Sequence, residues 1–216
     1  MALTWKLSEI RDEVRVLASI PDTTQMSNDD VDNQVNDFYQ NIFPGDVFVQ
    51  ELESWYTFDT ADDDDCEKAL PASVFTIKKP MTLKDSDDAI SKLKFYLDQA
   101  RFFGIHPEDA NDEDDERSTP RDALLYNRTV YLRPKADEVF TFKAASTIKP
   151  TALTAATAPL DVRWGPAIAQ GTAVLIKQSK RDFDAAKELG VVYAAMINYI
   201  NRRDLIQKKG RSKPRW

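Results

Sequence analysis

The chain has 216 residues, 29 basic and 36 acidic, with a formal net charge of −7. It is long enough to bury a core, and with only 6 glycines its composition excludes collagen-like and flexible-linker proteins. No apolar run approaches the roughly 18 residues of a membrane span, and the N-terminus has no apolar signal-peptide core, so we expect no membrane and a cytoplasmic origin.

The first 45 residues predict a helical hairpin. Apolar residues recur at helical spacing in residues 6–19, and Pro21 ends this helix. Ser27 is a good cap for a second helix, whose apolar positions begin at Val31. The residues "FPG" at 43–45 are predicted to end this second helix.

The middle of the chain predicts strands at 52–60, 73–79, 123–134 and 137–147. The last two are predicted to pair as a hairpin, and Pro80 is predicted to end the second strand. Residues 87–103 show helical spacing, with Ser86 as a cap, and 107–116 reads as an acidic loop.

Helical patterns return at 164–180, where Pro166 suits a first turn, and at 183–209. The predicted fold class is α+β. A helical bundle is expected from 1–45 and 164–201, a β-rich insertion from 46–163, and an extended basic C-terminal arm from 202–216.

Residues suited to catalysis are few. Cys66 is flanked by carboxylates, which disfavour its thiolate, and His106, the only histidine, lies in an acidic loop that predicts a surface position. Phosphate-binding glycine motifs are absent. We therefore predict no enzyme and no cofactor.

The acidic run "DTADDDDCE" is the best candidate for a metal site, because hard cations prefer several carboxylates. Consecutive aspartates point in different directions, however, and no EF-hand spacing is present. The run favours a solvated loop without metal. A metal-dependent enzyme that uses this cluster stays open as an alternative of another class.

The C-terminal segment "NRRDLIQKKGRSKPRW" is basic in an acidic protein. Nucleic acid, an anionic membrane and an acidic protein surface would each attract it. The acidic body opposes nucleic acid, and only Trp216 could insert into a membrane. A protein socket fits best, with lysine and arginine for steering and Trp216 as the anchor.

The order of these segments resembles the head-to-tail adaptor (connector) proteins of tailed bacteriophages, of the tail tubular protein A type. The resemblance rests on "LSEIRDEVRVLASIPDTTQMSNDDVDNQVNDFYQNIFP", on "YTFDT" followed by "ALPASVFTIKKP", on "LLYNRTVYLRPKADEVFTF", and on "WGPAIAQGTAVLIKQSKRDFDAAKELGVVYAAMINYI". These pieces cover most of the chain.

The resemblance implies a virion structural protein at the head–tail junction, assembled in the host cytoplasm as a homo-oligomeric ring, typically of twelve copies. Its partners would be the portal protein and a tail nozzle or tube protein, and the genome would pass through without sequence-specific binding. A head-completion or tail-terminator protein is the alternative.

The resemblance also places the portal contact in the C-terminal segment. The portal-binding residues would be Arg202, Arg203, Lys208, Lys209, Arg211, Lys213, Arg215 and Trp216. The acidic residues Asp62, Asp63, Asp64 and Asp65 would line the DNA channel, where carboxylates repel phosphates.

Overall fold

The structure, a computed structural model, describes residues 4–60, 66–107 and 117–210, with the backbone alone for 204–210. The chain divides into two compact units, Met1–Leu52 with Lys149–Trp216, and Glu53–Ile148. The segment after 148 belongs with the first unit because the Asn36 side chain holds it there. Its Oδ1 accepts from the Leu153 N–H at 2.6 Å, and its Nδ2 donates to the Leu153 carbonyl at 3.1 Å.

The first unit is helical. It contains α1 (Leu7–Leu17), α2 (Asn28–Asp37), a π-helical turn (Phe38–Ile42), α3 (Phe43–Asp46), α5 (Gly165–Ser179) and α6 (Phe183–Gly210). The Ser27 hydroxyl accepts the Asp30 N–H at 3.1 Å, which confirms the predicted cap of α2. Pro166 lies in the first turn of α5, also as predicted.

Helix α5 is the centre of this unit and packs against α1, α2 and α6. Its buried positions are mostly small, including Ala167, Ala169 and Ala173. At its N-terminus, the fully buried Trp164 ring lies 5.3 Å from the Phe43 ring, centroid to centroid. Small side chains along α5 therefore let bulky aromatics from neighbouring elements fill the core.

In its described residues, 53–60, 66–107 and 117–148, the second unit contains two four-stranded sheets. One has the order β1-β8-β3-β4 and is built from β1 (Glu53–Asp59), β3 (Val74–Lys84), β4 (Ile90–Lys92) and β8 (Thr141–Ile148). The other has the order β2-β7-β6-β5 and is built from β2 (Glu67–Ala69), β5 (Lys94–Tyr96), β6 (Asp122–Tyr126) and β7 (Thr129–Arg133). All neighbouring strands are antiparallel except β5 and β6, which are parallel.

The predicted architecture, a helical bundle that carries a β-rich insertion, is wrong. The protein is α+β with substantial β content in two sheets, rather than a helical bundle with an inserted β region. The sheets enclose a core of their own, which includes Tyr56, Leu83, Leu132, Phe140 and Phe142. The predicted extended arm at 202–216 is corrected over 202–210, because α6 remains helical to Gly210, while 211–216 lie outside the described residues.

The helix predicted at 87–103 is also wrong. This stretch contains β4, β5 and only the start of a short helix, α4 (Gln99–Ile105). Two residues of the predicted apolar stripe are exposed, Ile90 at 70% and Leu97 at 89%. The cap is Asp98 rather than Ser86, since its carboxylate accepts the N–H groups of Ala100 and Arg101 at 2.9 and 3.3 Å.

The predicted hairpin of 123–134 with 137–147 is corrected. Asn127 and Arg128 have φ angles of 46° and 60° and form a two-residue turn that joins β6 to β7. Positive φ at both central residues gives the twist that a tight hairpin requires. Strand β8 pairs instead with β1 and β3 in the other sheet.

Strand β3 continues past Pro80, which was predicted to end it. The register between β3 and β8 shifts between Lys78 and Met81. Proline is tolerated within a strand at such an irregularity because its missing N–H is not needed there.

Candidate interaction surface

The predicted C-terminal site is only partly described. Arg202 and Arg203 lie in α6, with Arg202 exposed and Arg203 partly buried. Lys208 and Lys209 lie further along the same helix, where the structure describes the backbone alone. Arg211, Lys213, Arg215 and Trp216 lie outside the described residues altogether, as do the predicted channel residues Asp62, Asp63, Asp64 and Asp65.

Arg203 is held inside its own unit by Asp161. Its Nη2 donates to Asp161 Oδ2 at 3.1 Å. Arg163 binds the same carboxylate, with its Nε 2.8 Å from Oδ1 and its Nη2 2.6 Å from Oδ2. Asp161 also accepts the Arg163 N–H at 2.9 Å and so caps the 3₁₀ turn Val162–Trp164. This carboxylate therefore joins the start of α5 to the distal part of α6.

The electrostatics of this cluster favour the ionised carboxylate. Burial by itself would raise the pKa of Asp161, whose side chain is 7% exposed. The hydrogen bonds from Arg163 and Arg203 outweigh burial and lower the pKa to about 2. The two guanidinium groups thus stabilise a charge that burial would otherwise disfavour.

Hydrogen bonds connect α6 to the end of α3 and to Phe48, which follows it. The Tyr193 hydroxyl donates to Asp46 Oδ2 at 2.6 Å. Asn201 donates from Nδ2 to the Asp46 carbonyl at 3.1 Å and accepts the Phe48 N–H at 2.8 Å. Burial and the neighbouring Asp46 carboxylate raise the pKa of Tyr193, which keeps its hydroxyl protonated as a donor. Helix α6 is therefore positioned by its own unit up to about Arg203.

An apolar groove lies between α5 and α6. It encloses about 430 Å³. Val192 and Tyr199 on its α6 wall are 46% and 71% exposed. The groove is lined by Arg163, Pro166, Ala167, Val192, Ala195, Met196, Tyr199 and Ile200. We call this feature the α5–α6 groove.

The α5–α6 groove has the composition of a protein-docking site. Aromatic, methionine and aliphatic side chains form its floor and walls, and the Arg163 guanidinium stands at its rim. Interfaces typically combine such an apolar centre with a charged rim, and tyrosine and arginine are enriched at their strongest contacts. The same helix carries Arg202 and the basic segment beyond it.

Sequence reasoning did not find this groove. A signal was present, because residues 191–200 of α6 carry more apolar residues than one helical stripe requires. The buried stripe takes Ala186, Ile197 and Ile200, which leaves Val192 and Tyr199 without a place in the core. Surplus apolar residues beside a complete stripe indicate a second contact surface.

Cys66 and His106, the other residues considered for catalysis, each contribute to packing within the second unit. Cys66 is buried at 1%, and its Sγ accepts the Ala136 N–H at 3.1 Å. His106, predicted to be a surface residue, is only 18% exposed in its side chain. Its Nε2 lies 2.8 Å from Asp122 Oδ2, and its ring lies 5.2 Å from that of Phe102. This pair ties the end of α4 to the start of β6.

Among residues 4–60, 66–107 and 117–210, no group of three or more His, Cys, Asp or Glu side chains could hold a metal ion. No helix in that same part of the chain has the length and apolar character needed to cross a membrane. No family model matches the chain. No curated protein matches its sequence.

Proposed function

We propose that this protein is a head-to-tail adaptor of a tailed bacteriophage, a structural and non-enzymatic virion protein. It forms a ring at the portal vertex, joins the portal to the tail, and leaves a passage for the genome. The proposal is supported by the order of sequence segments shared with such adaptors. It is also supported by a surface suited to docking on another protein.

The α5–α6 groove is the observation that carries the proposal. Tyr199 exposes 71% of its surface, and Val192 on the same wall exposes 46%. Isolated exposed apolar residues are ordinary, but a lined groove with an aromatic wall is typical of an interaction site. In this proposal an apolar side chain of the portal protein occupies the groove.

The basic C-terminal segment adds steering to this contact. Residues 201–216 contain seven basic residues and one acidic residue, whereas the whole chain has a formal net charge of −7. Complementary charge chiefly raises the rate of encounter, whereas desolvated apolar anchors slow dissociation. Arg202, the basic residues from Lys208 to Arg215 and Trp216 would therefore guide α6 to an acidic portal surface, and the groove would hold it there.

Arg203 has a different role from the residues after it. Because it pairs with the buried Asp161 at 3.1 Å, removing it would disturb the helical unit. The truncation that tests the arm should therefore end at Gly210, the last residue of α6. Removal of 211–216 takes away Arg211, Lys213, Arg215 and Trp216 and leaves the described contacts intact.

The test is attachment to the candidate portal protein, measured by co-sedimentation with its rings. The double substitution Val192→Glu with Tyr199→Lys places two charges in the groove without changing net charge, and should abolish attachment. Val191→Glu with Phe183→Lys is the matched control, because it also leaves net charge unchanged and these residues are 68% and 66% exposed but do not line the groove. Attachment should survive in the control and weaken in the truncation. Unchanged attachment of both the groove variant and the truncation would overturn the proposal.

A further inference from the structure

The sheet β1-β8-β3-β4 has one core face and one exposed face that carries lysines. Residues paired across neighbouring strands point to the same side of a sheet. Tyr56, Ala144 and Met81 are paired in this way and belong to the core of the unit. The alternate positions form the other face, which we call the lysine face. It includes Trp55, Lys78, Lys84, Lys92 and Lys143.

The lysine face is open to solvent. Trp55 is 54% exposed, and Lys143 Nζ lies 4.6 Å from the centre of its ring. Lys78 pairs with Glu53 at 3.1 Å, and Lys84 pairs with Asp88. Within the described part of the chain, Lys92 and Lys143 have no carboxylate within ion-pair distance. Lys143, which lies over the exposed Trp55 ring, and Lys92, on the opposite edge strand β4, are therefore available to a partner.

The complementary surface lies on the helices at the start of the chain. Residues 7–46 contain nine acidic and two basic residues. Both arginines are already engaged: Arg11 pairs with Asp32 at 3.0 Å, and the buried Arg15 donates to the carbonyls of Ile20 and Met26 at 3.0 and 2.8 Å. Within the described residues, the exposed carboxylates of Glu13, Asp29, Asp30 and Asp37 have no ion pair, and Asp12 makes only a 3.9 Å contact with Arg11. We call this set, which comprises Asp12, Glu13, Asp29, Asp30 and Asp37, the acidic helix surface.

We infer that the lysine face binds the acidic helix surface of a second copy of this chain. The contact is heterologous, because it joins two different surfaces and each copy carries both of them. When the rotation between neighbouring copies divides a full turn evenly, repeating such a contact generates a ring. This inference rests on the proposed function in one respect: the contact would join neighbouring copies in the proposed ring. It does not involve the α5–α6 groove or the C-terminal segment.

Nucleic acid fits the lysine face less well than a protein surface does. Glu53 and Asp59 lie on the same face, and Asp59 accepts a hydrogen bond from the Thr141 hydroxyl at 2.7 Å. A uniform row of phosphates would meet these carboxylates along with the lysines, whereas a protein surface can place charges selectively. The chain's net charge of −7 also opposes a polyanion.

The experiment is charge reversal with rescue, followed by sedimentation velocity of the full chain at up to about 100 μM, a range that detects weak specific association. One variant is Lys92→Glu with Lys143→Glu, and the other is Asp12→Lys with Glu13→Lys. We expect each to self-associate at least about tenfold more weakly than the wild type, because like charges would oppose each other at the contact. An equimolar mixture of the two variants should associate again.

The matched control is Lys68→Glu with Lys187→Glu, which makes the same charge change at exposed lysines outside the lysine face. It should associate as the wild type does. Wild-type association should weaken as salt rises, since the screening length falls from about 10 Å at 0.1 M to about 3 Å at 1 M.

Three results would overturn the inference. The first is a wild-type protein that stays monomeric at the highest concentration. The second is a variant mixture that fails to associate. The third is salt-dependent binding of labelled DNA that Lys92→Glu with Lys143→Glu removes, which would assign the lysine face to nucleic acid. Portal attachment is measured separately, so either proposal can fail while the other stands.

Discussion

Gly171 of α5 makes room for the ring of Phe38. A Cβ added to Gly171 would lie 2.1 Å from Phe38 Cζ, far inside van der Waals contact. The Phe38 side chain is 2% exposed and also packs on Tyr193, with ring centroids 5.6 Å apart. The ring therefore cannot move aside without disturbing the packing of α6.

Gly171→Ala should destabilise the protein by about 1–3 kcal/mol, the usual cost of overpacking a core. Chemical denaturation measures the change. Gly190→Ala is the matched control, because a Cβ there meets nothing within 4 Å. Alanine is favoured over glycine in a helix by about 1 kcal/mol, so this control should be stabilised. If both alanine variants were stabilised, the close approach of Gly171 to Phe38 would be refuted.

Asp161→Asn should lower stability at neutral pH by about 2 kcal/mol and have little effect on stability below about pH 2. The folded pKa of about 2 lies below the ordinary 3.8. The ionised carboxylate therefore contributes stability above about pH 4, and this contribution is lost as pH falls to about 2. Unfolding measured across this pH window checks the prediction.

The control for Asp161→Asn is Asp12→Asn, whose side chain is 77% exposed and makes only a 3.9 Å contact with Arg11. Its free energy of unfolding at neutral pH should stay within about 0.5 kcal/mol of the wild-type value, as is usual for an exposed side chain. An Asp161→Asn profile as steep as the wild-type profile would show that the pairing with Arg163 and Arg203 does not stabilise the fold.

Asn127→Ala should destabilise the β unit by about 1 kcal/mol, because alanine tolerates a positive φ less well than asparagine does. Asn127 has φ 46° in the turn between β6 and β7. Asn127→Gly should leave stability nearly unchanged, since glycine adopts this region without a steric cost. Thermal unfolding of the two variants compares them directly. Equal losses from both would mean that the asparagine side chain, rather than the backbone angle, stabilises the turn.

Local signals in the sequence were sufficient for the helices of the first unit. The apolar stripe of α1, the Ser27 cap of α2 and Pro166 in α5 each depend on residues within one or two turns of one another. Asn127 also carried a usable signal, because asparagine favours positive φ, but the apolar alternation of 123–134 hid the turn.

Features that depend on residues far apart in the sequence could not be predicted from local patterns. Residues 87–103 match a helical period, yet Leu93 and Tyr96 are buried against strands that only the folded chain brings together. Likewise, the exposure of Tyr199 depends on the packing of α5 against α6 and not on its own neighbours in sequence. The lysine face required the register of four strands, in which Lys92 pairs with Thr82 and Thr82 pairs with Lys143.

The adaptor proposal is tested most directly by the particle mass and shape of the full chain, alone and mixed with its portal protein. Mass photometry and negative-stain electron microscopy measure both. The proposal predicts a ring of this protein on the portal, and its loss when charges are placed at Val192 and Tyr199. A chain that stays monomeric in the presence of the portal would contradict it.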